Sequence, residues 1–217
     1  VSNDIARDLK TPLNRLHITL EDAANRSSQA DIREHLNEAL AETEQLNATF
    51  DALLRIAQIE MGARKARFKP VDLGALIGKI GEFYADLAAD EGRELTVTLQ
   101  DGPAIFIKGD ADLLSQLFAN LIENALRHTP SGTAISLALV RTTDGCTVEV
   151  RDRGPGIPQA ERENVFRRLY RMDQSRSTPG TGLGLSLVKS IAELHSATIA
   201  LQDARPGLSI VLRFPKG

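Results

Sequence analysis

The chain has 217 residues, 42% hydrophobic and 25% charged, which is enough to bury one or two cores and typical of a globular protein. A formal net charge of -3 argues against a nucleic-acid binder that works by neutralising many phosphates, and no apolar run is long enough to span a bilayer. One cysteine, Cys146, cannot form an internal disulfide and fits a reducing cytoplasm, while a start at Val1 reads as a fragment without its true N-terminus.

Leu9, Leu13, Leu16, Leu20 and Ala23 follow a 4-3-4-3 spacing that lays one apolar stripe along a first helix. The same spacing returns in Ile32, Leu36, Ala39, Thr43, Leu46, Phe50, Leu53 and Ala57, predicting a second. A hairpin of two such helices cannot bury both stripes alone, so residues 1–61 are expected to form a four-helix bundle from two chains, a homodimer. Residues 62–70 carry four basic residues, a glycine and a closing proline, the composition of a linker. The second domain is expected over 71–217. Asp72 caps a helix to about residue 89, and short strands over 94–99 and 104–108 flank a turn at Asp101, Gly102 and Pro103. A helix over 111–128 is followed by strands over 133–141 and 146–151 joined at Asp144 and Gly145. A helix over 182–194 and strands over 197–201 and 208–214 complete the chain. The fold class is α+β: a helical hairpin, then an α/β two-layer sandwich with helices on one face of a mostly antiparallel sheet.

Three segments of the second domain carry chemistry. Asn120 and Asn124 stand four positions apart on one helix face, and a carboxamide oxygen is a neutral hard ligand suited to Mg²⁺ when phosphates supply the charge. Asp152 ends a strand and is followed by Gly154, Pro155 and Gly156, so a carboxylate able to accept from an exocyclic amine sits beside glycines that let a planar ring approach. Gly180, Thr181, Gly182, Leu183 and Gly184 lead straight into a helix whose exposed amides and positive dipole end suit phosphate. Neither a P-loop nor a dinucleotide fingerprint fits this spacing. Between the last two segments, Arg153, Arg162, Arg167, Arg168, Arg171 and Arg176 make a long basic connection, read as a lid held to the body by Phe166 and Leu169.

In that order, these segments resemble the N, G1, F and G2 boxes of sensor histidine kinases of two-component systems, whose ATP-binding domain has the Bergerat fold. The hairpin is similar to the family's dimerisation domain, for Asp8, Leu9, Lys10, Thr11, Pro12 and Leu13 match its H box after the first position. The resemblance implies ATP and Mg²⁺ as cofactors and a response-regulator receiver domain as partner in a phosphorelay. It also implies metal and phosphate roles for Asn120 and Asn124, and adenine recognition by Asp152 with Gly154 and Gly156 around it. Arg127, Arg171, Arg176 and the loop Gly180, Thr181, Gly182, Leu183 and Gly184 would hold the phosphate tail. Membrane association would come only through segments upstream.

The departure is at position 7. The family places there a histidine that attacks the γ-phosphate while the neighbouring acid, here Asp8, accepts its proton; this chain has Arg7. A guanidinium stays protonated and offers no lone pair, so this position is expected not to autophosphorylate. The remaining histidines are His17, His35, His128 and His195; His17 stands about 15 Å along the helix from Arg7 and a quarter-turn around it. Thr11 occupies the position that in related hairpins orients water for dephosphorylating the regulator, so a phosphatase-only form is one alternative and a dimeric nucleotide-sensing scaffold another. Topoisomerase-like and chaperone-like relatives of the fold place a glutamate where Asn120 stands, and an amide cannot serve as that general base.

Overall fold

The computed structural model describes residues 16, 18–20, 29–60, 65–172 and 181–216. The chain divides into two compact units, Val1–Arg55 and Ile56–Gly217. Arg7, Asp8 and Thr11 lie outside the described residues, as does most of the first predicted helix; Leu16 and residues 18–20 are helical. Helix α1, Gln29–Glu60, is the second predicted helix. Its Ala39, Thr49 and Leu53 are buried, whereas Leu36, Leu40, Phe50 and Leu54 are 45 to 61% exposed. At 100° per residue these four exposed side chains fall within an arc of about 80°, one apolar strip along the helix.

The second unit is built on a five-stranded sheet of order β2-β4-β5-β7-β6. Its strands are β2 Glu94–Leu99, β4 Ala134–Thr142, β5 Gly145–Arg151, β6 Thr198–Asp203 and β7 Leu208–Pro215. β2 runs parallel to β4 and every other pair is antiparallel, so the mostly antiparallel expectation holds with one parallel edge. Val97, Leu137, Val150, Ile210 and Leu201 form one register row across all five strands. Alternate residues of β4 and β5 (Ile135, Leu137, Leu139; Cys146, Val148, Val150) are buried. Helices α2 Leu73–Asp90, α3 Ala111–His128 and α4 Gly184–Leu194 pack on the sheet, α2 against β2, α3 against β4 and β5, and α4 against β6. Cys146 is one of these buried residues, and burial pushes its thiol up to about 11, so it is an inert core residue.

The strands flanking Asp101 to Pro103 do not pair with each other. β3, Phe106–Gly109, instead pairs antiparallel with β1, Lys69–Asp72, a strand that begins within the stretch read as linker. Asp72 then caps α2 as expected, its carboxylate accepting from the Ala75 amide at 3.2 Å.

The junction of β3, α3 and α4 is fixed by His195. Its Nε2 accepts from the Asp110 amide at 3.0 Å, its Nδ1 donates to the Ile191 carbonyl at 2.8 Å, and Phe68 stacks on the ring with centroids 4.6 Å apart. Both ring nitrogens are thus committed in the neutral form, and burial lowers the pKa against the opposing pulls of Ile191 and the Asp110 charge. A folded pKa below the unfolded 6.5 means that the unfolded chain takes up the proton first, so stability is complete above that pH and lost as pH falls through it. His128, also lowered by burial, adds in the same sense. The melting temperature is therefore expected to drop on acidification from about pH 7.5 to about pH 5.5, and His195→Gln to flatten that slope. An unchanged slope in the variant would remove His195 from the account.

Candidate functional site

A cleft of about 340 Å³ opens between α3, the residues after β5 and the start of α4. One wall is α3. Asp110 caps it, its Oδ1 accepting from the amides of Asp112 at 3.0 Å and Leu113 at 3.2 Å. The apolar face of α3, with Leu114, Leu117, Phe118, Leu121 and Ile122, points into the core. That burial turns Asn120, Asn124 and Arg127 toward the cleft. Asn120 donates from Nδ2 to the Gln116 carbonyl at 2.8 Å, which leaves Oδ1 as the free end of the amide. A Cβ placed on Gly184 would stand 3.2 Å from that oxygen, so the glycine lets α4 approach α3 here. Between the asparagines, Glu123 accepts from Tyr84 of α2 at 2.5 Å, and burial together with this carboxylate holds the phenol protonated, well above its usual range.

The floor is the turn after β5. Asp152 Oδ1 accepts from the Gly154 amide at 2.7 Å and the Leu208 amide at 3.2 Å. Burial raises the Asp152 pKa, and the two amide bonds and nearby His128 pull the other way without cancelling it. Gly156 at φ +71° lines the cleft. Gly154 sits behind it, where a Cβ would meet the His128 carbonyl at 2.8 Å.

The far end is the start of α4. Thr181, Gly182 and Gly184 line the cleft, whereas Leu183 is buried and no side chain caps the helix. The first amides of α4 thus remain free of side-chain partners at the cleft, an arrangement that binds anions. Gly182, at φ +69°, passes so close to Leu169 and Tyr170 that a Cβ would stand 2.9 Å from their backbone.

As far as residue 172, the connection after Gly156 carries defined local structure. It holds short 3-10 turns at Gln159–Glu161 and Asn164–Phe166. Tyr170 donates to Glu161, and Arg162 donates to the Ile157 carbonyl at 3.2 Å. Its buried anchor is Val165 rather than Phe166 or Leu169, which are half-exposed; Lys189 lies 5.8 Å over the Phe166 ring. Arg171 lines the cleft, while Arg176 and Gly180 lie outside the described residues.

One cleft therefore brings together Asn120, Asn124, Arg127, Asp152, Gly156, Arg171, Thr181, Gly182 and Gly184. It also takes in Glu123, His128, Ile157, Tyr170 and Leu208, which sequence reasoning did not single out. Ile157 was legible as the apolar residue next to Gly156. Leu208 was not, because β5–β7 pairing alone brings it to Asp152. Among the described residues no group of three or more His, Cys, Asp or Glu side chains is placed to hold a metal ion, and no helix is long and apolar enough to cross a membrane.

The family model for histidine kinase-, DNA gyrase B-, and HSP90-like ATPases matches residues 109–217, half of the chain. Sensor protein IrlS of Burkholderia pseudomallei is 32% identical over 219 residues, covering 99% of this chain and 46% of the relative. Sensor histidine kinase CusS of Escherichia coli K12 is 33% identical over 219 residues, covering 99% and 45%. The chain thus spans about half the length of these curated relatives. The solved structure of the mycobacterial sensor histidine kinase MprB superposes with a TM-score of 0.60 at 30% identity, over 68% of this chain and 97% of that one.

Proposed function

Because the chain belongs to the family of histidine kinase-, DNA gyrase B-, and HSP90-like ATPases, whose domain binds ATP, we propose that it is the core of a sensor histidine kinase. In this reading, residues 71–217 bind ATP with Mg²⁺ and present its γ-phosphoryl group to the hairpin of residues 1–61, across a linker at 62–70. On the hairpin Arg7 holds the acceptor position that the family fills with histidine, so this chain does not autophosphorylate. A response-regulator aspartate is the final acceptor, and the core works in the cytoplasm below upstream membrane segments. The observation that carries the proposal is the single cleft joining a carboxamide face, a buried carboxylate and an uncapped helix start.

Each part has a role. Asp152 keeps Oδ1 for Gly154 and Leu208, so Oδ2 is the oxygen left to accept from the adenine amine. Gly156 and Ile157 line the cleft beside it, and both let a flat ring lie against this wall. The start of α4, with Thr181, Gly182 and Gly184, and the side chains of Arg127 and Arg171 receive the phosphates. The Asn120 oxygen, oriented by the bond to Gln116, and Asn124 fit the one or two protein oxygens that Mg²⁺ takes when phosphates supply the rest. Bound there, the ion supplies charge neutralisation on the phosphate oxygens. The exposed strip of Leu36, Leu40, Phe50 and Leu54 supports dimerisation through the hairpin, since a second copy would cover it.

Calorimetric titration with a non-hydrolysable ATP analogue is expected to give one site per chain, weakened about ten-fold or more when Mg²⁺ is chelated and in Asn124→Ala. Equal affinity with and without the ion would overturn the metal role of the asparagines. Restoring the acceptor, Arg7→His, tests the transfer step: nucleotide binding without any phosphohistidine would overturn the kinase reading.

A further inference from the structure

We propose that the turn between β6 and β7, residues 204–207, acts with Arg151 as a positioning device for Asp152 and so sets the preference of the site for bases that carry an exocyclic amine. The inference rests on the nucleotide reading above and goes beyond it, since neither Arg151 nor residues 204–206 line the cleft.

The β5–β7 ladder ends in register at Arg151 and Ser209. One residue further on, the Asp152 amide donates to the Leu208 carbonyl at 2.9 Å, and the Leu208 amide donates back to the Asp152 side chain at 3.2 Å. The carboxylate thus takes the place of a backbone carbonyl in the ladder, and its orientation follows wherever Leu208 is held. What holds Leu208 is the turn. Gly207 stands at φ +104°, where a Cβ would lie 1.9 Å from the Asp152 carbonyl oxygen and 2.8 Å from the Arg153 Cα. Its own carbonyl accepts from the Ala204 amide at 3.1 Å and lies 3.1 Å from where a Cβ on Gly156 would stand. The turn backbone is therefore wedged between the two cleft residues that face the ring. Arg151 ties the outer end, its Nη2 donating to the Ala204 carbonyl at 2.6 Å.

The consequence concerns selectivity. Oδ1 is fixed by two amides and Oδ2 has no protein partner among the described residues, so Oδ2 is aimed to accept from a ring amine. Inosine carries a carbonyl oxygen in place of that amine, and two acceptors would face each other. A site built around an oriented acceptor discriminates against a ligand lacking the donor, and loses that discrimination when the acceptor is free to turn.

The test is the affinity of the full chain for ATP and for inosine triphosphate, measured calorimetrically in the natural chain, Arg151→Ala, Arg151→Lys and Gly207→Ala. The natural chain is expected to prefer ATP by about ten-fold or more. Arg151→Ala and Gly207→Ala should weaken ATP by roughly five- to ten-fold while moving inosine triphosphate less than about two-fold, so that the preference collapses. Arg151→Lys, which keeps a donor for the Ala204 carbonyl, should restore much of it. Arg151 is exposed, so its variants report even where the strained Gly207→Ala fails to fold. Equal weakening of both nucleotides, or ATP binding unchanged in Arg151→Ala, overturns this inference alone. A natural chain that binds neither nucleotide overturns the nucleotide reading with it.

Discussion

Arg7→His is expected to turn a chain that incorporates no phosphate from γ-labelled ATP into one that becomes labelled. The expectation combines two independent facts. At position 7 the guanidinium has no lone pair at any pH the protein survives, so no orientation of the nucleotide domain can make it a nucleophile. In the other unit one cleft joins a carboxamide face, a carboxylate, an uncapped helix start and Arg171. A neutral imidazole at position 7 would attack the γ-phosphorus through a ring nitrogen, ADP would leave, and the ring proton would pass to the adjacent Asp8 carboxylate. The product is a phosphoramidate, labile to acid and stable to alkali, which separates it from phosphoserine or phosphothreonine. Label in the unmodified chain would mean that one of its four histidines serves, and phosphopeptide mapping would say which. Mixing the unmodified chain with a partner carrying Arg7→His and Asn120→Ala adds a second arm. Label on that partner shows transfer between chains; no label in the mixture, where Arg7→His alone becomes labelled, shows transfer within one.

What could be read from residues alone divides along local and non-local lines. Helix α3 coincides with its predicted 111–128, because an apolar stripe from Leu114 to Leu126 and a capping Asp110 are local signals. The Asp144 and Gly145 turn likewise defines the β4–β5 hairpin, with Thr142 opposite Gly145. The pairing of β1 with β3 was not legible, for the opposite reason. β2 has its partner in β4, and β3 pairs with residues far earlier in the chain, Lys69 with Gly109 across a 40-residue separation. The site follows the same division. Asn120, Asn124, Asp152 and the glycines carry spacing that announces a task, whereas Leu208 and Tyr84 matter only through the elements that deliver them to Asp152 and Glu123. In the connection after Gly156, composition pointed to the aromatic Phe166 as anchor, yet the smaller Val165 is the buried residue because the 3-10 turn at 164–166 directs it inward.

Asp152→Asn is expected to separate nucleotide affinity from stability. An amide retains an acceptor oxygen for the Gly154 and Leu208 amides, so the turn is kept, and its NH₂ then occupies the place of Oδ2. There it meets the adenine amine donor to donor. Loss of a hydrogen bond to a charged acceptor, with two donors left facing, should weaken ATP about 100-fold. Stability should move the other way or not at all. Burial raises the Asp152 pKa above its unfolded value, so the folded chain holds this proton more tightly, and the carboxylate's contribution to stability grows as pH falls through the folded pKa. At neutral pH the ionised group is thus a cost that the neutral amide removes, and the melting temperature of Asp152→Asn should equal or exceed that of the natural chain. The pH dependence gives a further check with the same sign. ATP affinity of the natural chain should fall on acidification as Asp152 takes up its proton, and this component should be missing in the variant. Full ATP affinity in Asp152→Asn would show that the base is not read by this carboxylate.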